Sequence, residues 1–134
     1  MELKLGRLID HIHLRAADLK ATQDFYEAVL GVLNVPVNST IDHLQADELW
    51  IDAGEPRTHI HLAFQAPDRD TVDRFHIAGL AAGGRDNGAP GERPYHPGYY
   101  ACFLIDPDGN NIEAVHHGPA TRSAAAVTVT AELP

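Results

Sequence analysis

Four histidines stand in two copies of one tetrapeptide, His11-Ile12-His13-Leu14 and His59-Ile60-His61-Leu62, and a glutamate, Glu113, stands in the similar stretch Asn111-Ile112-Glu113-Ala114. Polar and apolar residues alternate in all three, the period of a strand with one face against a core. If Ile12, Leu14, Ile60 and Leu62 face that core, His11, His13, His59 and His61 share the opposite face, and Ile112 and Ala114 turn Glu113 toward the same side. Two imidazoles with one carboxylate suit Fe(II), Mn(II), Zn(II) or Ni(II) and leave coordination positions open for a substrate. Spacing alone leaves a second reading equally open, a row of strand histidines each satisfied by a hydrogen bond. The donors lie far apart in the chain, and no compact motif such as His-Glu-x-x-His is present.

The elements that must carry these residues repeat as well. After the first tetrapeptide, Asp18 suits a helix N-cap, Leu19, Thr22, Phe25 and Val29 form an apolar stripe, and Gly31 is the expected stop. After the second, Asp68 caps, Val72, Phe75 and Leu80 form the stripe, and Gly83 ends it. The tetrapeptides are 59 − 11 = 48 residues apart, the mark of an internal duplication. A strand-like stretch follows each helix. Asp47-Glu48-Leu49-Trp50-Ile51-Asp52 puts Leu49 and Ile51 on one face and Trp50 and Asp52 on the other, which makes Asp52 the repeat mate of Glu113. Residues 99–117 read as two strands joined by a turn at Asp106-Pro107-Asp108-Gly109. Residues 84–98 are dense in Gly and Pro and read as a loop with at most a short strand, placed to act as a lid. Tyr95, His96 and Tyr99 give it aromatic walls with polar tips, suited to one face of a small ligand. The tail, 118–134, reads either as disordered or as an edge strand over Ala126–Thr130.

Composition bounds the function. At 134 residues, 44% hydrophobic and 22% charged, the chain is the size of one globular domain, and neither a disordered nor a fibrous class is favoured. A net charge of -9 with only ten Lys and Arg argues against a nucleic-acid partner. Cys102 is the only cysteine, so no intramolecular disulfide forms and a reducing compartment is expected. No signal-peptide core or membrane-length apolar run is evident, so a cytoplasmic protein without membrane partners is expected.

Three stretches carry a family resemblance: DHIHLRAADLKATQDFYEAVLGV at 10–32, THIHLAF at 58–64 and DPDGNNIEAVHH at 106–117. They resemble the signature stretches of the vicinal oxygen chelate superfamily, which includes glyoxalase I, bleomycin-resistance proteins and extradiol dioxygenases, and the resemblance spans about residues 8–117. It implies an α+β fold in which two βαβββ modules, 7–56 and 57–117 of a single domain over 1–117, form a cupped mixed sheet with helices on its outer face. It also implies one divalent metal ion held by His11, His59 and Glu113. The activity implied is Lewis-acid chemistry on vicinal oxygens of a small substrate, as in lyases and isomerases of the family. Fe(II) dioxygenation, or non-catalytic sequestration of a cationic drug by an acidic protein, are the alternatives. Glyoxalase I and its kin carry a Glu or Gln as fourth ligand where this chain has the shorter Asp52, which is then ligand or general base if it reaches the cup. His13 and His61 occupy positions usually apolar or hydroxylic in the family and are expected to orient a substrate oxygen, beside Trp50, Tyr95, His96 and Tyr99. The resemblance further implies a homodimer with shared sites, His11 from one chain and His59 with Glu113 from the other.

Overall fold

The computed structural model describes residues 2–6 and 9–130. Its elements run β1 (Glu2–Leu5), β2 (Ile12–Ala16), α1 (Leu19–Val32), β3 (Asn38–Ser39), β4 (His43–Ala46), β5 (Leu49–Ala53), β6 (His61–Gln65), α2 (Arg69–Ala81), β7 (Arg85–Glu92), β8 (Tyr100–Ile105), β9 (Asn111–His116) and β10 (Val127–Thr130). The expected duplication is there as β2-α1-β3-β4-β5 and β6-α2-β7-β8-β9. Each module folds into a four-stranded mixed sheet, ordered β2-β5-β4-β3 in the first and β6-β9-β8-β7 in the second. The first strand of each pairs in parallel with the last, a connection that needs a crossover long enough to hold a helix.

Register decides which polar side chains meet. His13 lies opposite Trp50 and Arg15 opposite Asp52. In the second module His61 lies opposite Asn111 and Ala63 opposite Glu113. In both modules, therefore, the second histidine of the tetrapeptide is two positions from the carboxylate on the neighbouring strand. Residues two apart in a strand share a face, so imidazole and carboxylate are diagonal neighbours.

Both helices start where their caps predict. Asp18 accepts a hydrogen bond from Ala21 N at 3.2 Å and Asp68 one from Thr71 N at 2.7 Å. The helices pack against each other, and Leu14, Phe25, Val29, Ile51, Val72, Phe75, Leu104 and Ile112 belong to one buried core shared by the modules. Gly79 permits this approach: a Cβ there would sit 2.2 Å from Leu104 Cδ1 and 3.2 Å from Val29 Cγ1.

Two expectations need correction. Gly31 does not end α1, which runs to Val32; the left-handed position is taken by Asn34 at φ 59°, and Val35 N bonds back to Leu30 O. Asparagine tolerates that conformation better than other side chains, so the stop lies three residues later. Residues 84–98 are not mainly loop, because 85–92 form β7. It is an edge strand with register shifts at Asp86/Gly88 and Gly88/Gly91, a setting that accepts the Gly and Pro that argued against a strand. Of the two readings of the tail, the strand is the one formed: Val127–Thr130 pairs antiparallel with Glu2–Leu5. Residues 131–134 of that tail lie outside the described residues.

The turn between β8 and β9 is a buried polar hub. Asp106 accepts from Tyr26 Oη at 2.6 Å, Asp108 N at 2.9 Å, and Asn110 N and Nδ2 at 2.8 and 2.9 Å. Asp108 accepts from Ala17 N and Thr22 Oγ1, and Asn110 accepts from Ile60 N. Burial beside Asp106 pushes the Tyr26 hydroxyl well above its ordinary range, so it remains a donor. The hub binds the start of α1, in module one, to the strands that carry Glu113.

Candidate functional site

Each module presents one imidazole–carboxylate pair. In module two, Glu113 is 2% exposed, a carboxylate almost removed from water. One of its oxygens accepts from His61 Nε2 at 2.8 Å and the other from the Tyr99 hydroxyl. Burial first, then the bond to Glu113, pushes Tyr99 up to about 12, so it stays protonated and donates at any physiological pH. Tyr99 is reached from the 93–99 turn, which closes through Arg93 N to Tyr99 O at 2.9 Å. Tyr95 packs edge-on against Tyr99 with ring centroids 5.0 Å apart and is itself 69% exposed.

In module one, His13 Nε2 bonds Asp52 Oδ1 at 2.7 Å, and Arg15 Nε lies 3.5 Å from the same oxygen. The His13 hydrogen bond, more than the Arg15 charge, holds the Asp52 carboxyl below the usual range. This pair is open to water, its side chains 39% and 29% exposed. Beside it, Trp50 stacks on His43 at 4.1 Å between ring centroids. A pocket of about 540 Å³ opens there, lined by His11, His13, His43, Gln45, Trp50 and Asp10 among others.

The structure thus separates the histidines in its own way. His11 Nδ1 bonds Asp10 at 2.6 Å, with both side chains mostly in solvent. His59 is exposed and lies over Gly109, where an added Cβ would come 3.2 Å from its Nε2. Neither stands at the carboxylates; His13 and His61 do. Among the described residues of one chain, no three His, Cys, Asp or Glu gather at metal-binding distance, so His11, His59 and Glu113 do not meet within it. His96, expected as a wall beside Tyr99, is there at 5.3 Å between ring centroids, but its Nε2 lies on His117 Nδ1 at 2.9 Å.

Sequence reasoning passed over Arg15, His43, His117 and the roles of Asp106, Asp108 and Asn110. For the hub a signal existed: three side-chain acceptors in five residues are more than a solvated turn needs. For His43 and Arg15 there was none, since only the strand pairing brings His43 to the pocket and Arg15 to Asp52.

The family model of the Glyoxalase/Bleomycin resistance protein/Dioxygenase superfamily matches residues 8–114. No curated protein matches the chain. Among solved structures, a glyoxalase/bleomycin resistance protein from Albidiferax ferrireducens T118 is 30% identical, with 81% of this chain and 98% of that one covered and a TM-score of 0.69. A glyoxalase-related enzyme from Fulvimarina pelagi is 19% identical, with coverage of 94% and 99% and a TM-score of 0.70. A lactoylglutathione lyase from Agrobacterium tumefaciens is 21% identical, with coverage of 82% and 93% and a TM-score of 0.60. The last two are likenesses of fold alone.

Proposed function

Because the chain belongs to the glyoxalase/bleomycin resistance protein/dioxygenase superfamily, we propose that it is a small divalent-metal-dependent enzyme acting on vicinal oxygens of a small substrate, with lyase or isomerase chemistry. The observation that carries the reading is the doubled pair, His13–Asp52 and His61–Glu113, at the same strand offset in both modules. An imidazole nitrogen and a carboxylate oxygen under 3 Å apart are donors that can converge on one cation, and their types suit Fe, Mn, Zn or Ni. One chain does not bring the two pairs together, so the full set requires module one of one chain against module two of another, a homodimer with shared sites. The resemblance assigns ligand roles to His11 and His59; the register favours His13 and His61, and we adopt the register.

A bound ion would supply Lewis acidity to two neighbouring substrate oxygens. The chain's own groups do the rest. Tyr99, on leaving Glu113, has a proton to donate to an oxygen that gains charge. Asp52, hydrogen-bonded to His13, is the general base. Trp50 and His43 offer a flat wall for a planar enediol-like fragment. A cytoplasmic site of action fits the lone buried thiol of Cys102, and no helix among the described residues is long and apolar enough to cross a membrane.

One observation favours a second reading. The module-one pocket combines a stacked Trp50–His43 wall with Asp10 and Asp47 at its rim, in a chain of net charge -9. That suits sequestration of a flat cation without chemistry. Metal analysis of protein purified without a chelating tag decides between them. Near one ion per carboxylate site, lost in Glu113→Gln, supports the enzyme, while a metal content that Glu113→Gln leaves unchanged, or less than about a tenth of an ion per chain after reconstitution, leaves the binding protein.

A further inference from the structure

We propose that His96 and His117 form a second, separate site for a divalent transition-metal ion, one that ties the 93–99 turn to the end of β9. Their facing nitrogens, His96 Nε2 and His117 Nδ1, lie 2.9 Å apart, and the rings meet edge to edge near one plane, at 20° with centroids 5.1 Å apart. His96 Nδ1 lies 2.9 Å from the Pro97 carbonyl oxygen. A carbonyl only accepts, so that nitrogen carries the proton, and Nε2 of the neutral ring keeps its lone pair. A backbone carbonyl holding the far nitrogen is the support that fixes a metal-bound histidine in its ligating tautomer. Without an ion, the proton between the rings comes from His117 Nδ1. With one, that nitrogen's proton moves to the ring's other nitrogen or to water, and a pivot of the two exposed rings turns both lone pairs onto the cation.

The backbone holds the donors in place. Gly98 at φ +88° and Gly118 at φ +82° pack directly on each other, so that a Cβ on Gly118 would fall 3.1 Å from Gly98 Cα. Both imidazoles are exposed, which lets an ion in without opening the core and leaves the remaining coordination positions to water. Two imidazoles select Zn, Ni or Cu over Mg or Ca. The Tyr99 ring centroid lies 5.3 Å from each imidazole, and its hydroxyl closes over Glu113. An ion at the pair therefore holds the Tyr99 turn shut. Only that consequence rests on the function proposed above; the binding itself does not.

The test is calorimetric titration of the full, untagged chain with zinc chloride, alongside His96→Ala, His117→Ala and Glu113→Gln. The wild type should show two classes of site. Both alanine variants should lose the same class, with affinity down at least about tenfold, and keep the other, while Glu113→Gln should do the reverse. Hydrogen exchange over 93–99 should slow with zinc in the wild type and not in His117→Ala. Alanine variants that titrate like the wild type, or an effect from only one of the two, would overturn the proposal. If Glu113→Gln titrates like the wild type while both alanine variants lose a class, the enzyme reading falls and the His96–His117 site stands. Should circular dichroism show an alanine variant unfolded, His96→Gln and His117→Gln take its place under the same criteria.

Discussion

The two modules share one plan and differ at two places that matter. In module two the carboxylate, Glu113, is sealed beneath Tyr99 and His61; in module one its mate, Asp52, faces water with His13 and Arg15. The turn before the last strand differs in the same sense. Module one turns from β4 to β5 through Asp47, at φ 42°, and Glu48. Module two turns through the buried hub at 106–110, which takes hold of α1 in the other module. Duplicated elements can thus diverge while keeping their register: one copy pairs its imidazole with a buried, enclosed carboxylate and the other with a wet, open one.

The sharpest break in that comparison is expected at the carboxylates. Glu113→Gln and His61→Ala should abolish metal binding at the carboxylate site and leave only the His96–His117 class, whereas Asp52→Asn should weaken the carboxylate site by roughly tenfold to a hundredfold, the range for a supporting group. His11→Ala and His59→Ala should bind nearly as the wild type does. Atomic absorption after dialysis reads all five, and loss of metal in His59→Ala with retention in His61→Ala would restore the assignment drawn from the family resemblance.

Next in size are the turns. Asp106→Ala strips the acceptor from Tyr26 Oη and three further buried donors and should destabilise the fold by about 3 kcal/mol or more. Asp47→Gly, at a left-handed position, should shift stability by no more than about 0.5 kcal/mol and in the favourable direction. Equal losses in urea denaturation would mean that the hub is no more than a turn. Where the helices of the two modules meet, Gly79→Ala forces a Cβ onto Leu104 and Val29 and should cost about 1–3 kcal/mol in the same assay.

The smallest effect concerns the cap of α2. Thr71, through its side chain first and its backbone N–H second, holds the Asp68 carboxyl below the usual range. A depressed carboxyl contributes stability that is present above its unfolded pKa, about 3.9, and is lost as pH falls through the lower folded value. Asp68→Asn keeps a capping oxygen but cannot titrate. Its stability relative to the wild type should therefore improve as pH drops from 5 toward the folded pKa, and thermal melts across that range should show the two curves converging. Parallel curves would show that the cap does not titrate with folding.

What the sequence determined by itself was local or periodic: two strand–helix copies, the caps at Asp18 and Asp68, the alternation that places Glu113 and Asp52 opposite the core, and the family those patterns resemble. Each follows from the period of a strand or helix and from side chains that bond to their own backbone, so neighbours along the chain suffice. What only the tertiary structure decided was relational. Which histidine of each tetrapeptide meets a carboxylate depends on the offset between β2 and β5 and between β6 and β9, and alternation is satisfied equally by His59 and His61. Whether residues 85–92 pair as a strand depends on an edge place beside β8, where bulges absorb Gly and Pro. That Asp106, Asp108 and Asn110 are buried depends on Tyr26 and Thr22, eighty or more residues earlier in the chain. Register and burial belong to pairs of segments, and a pattern read along one segment carries no information about the other.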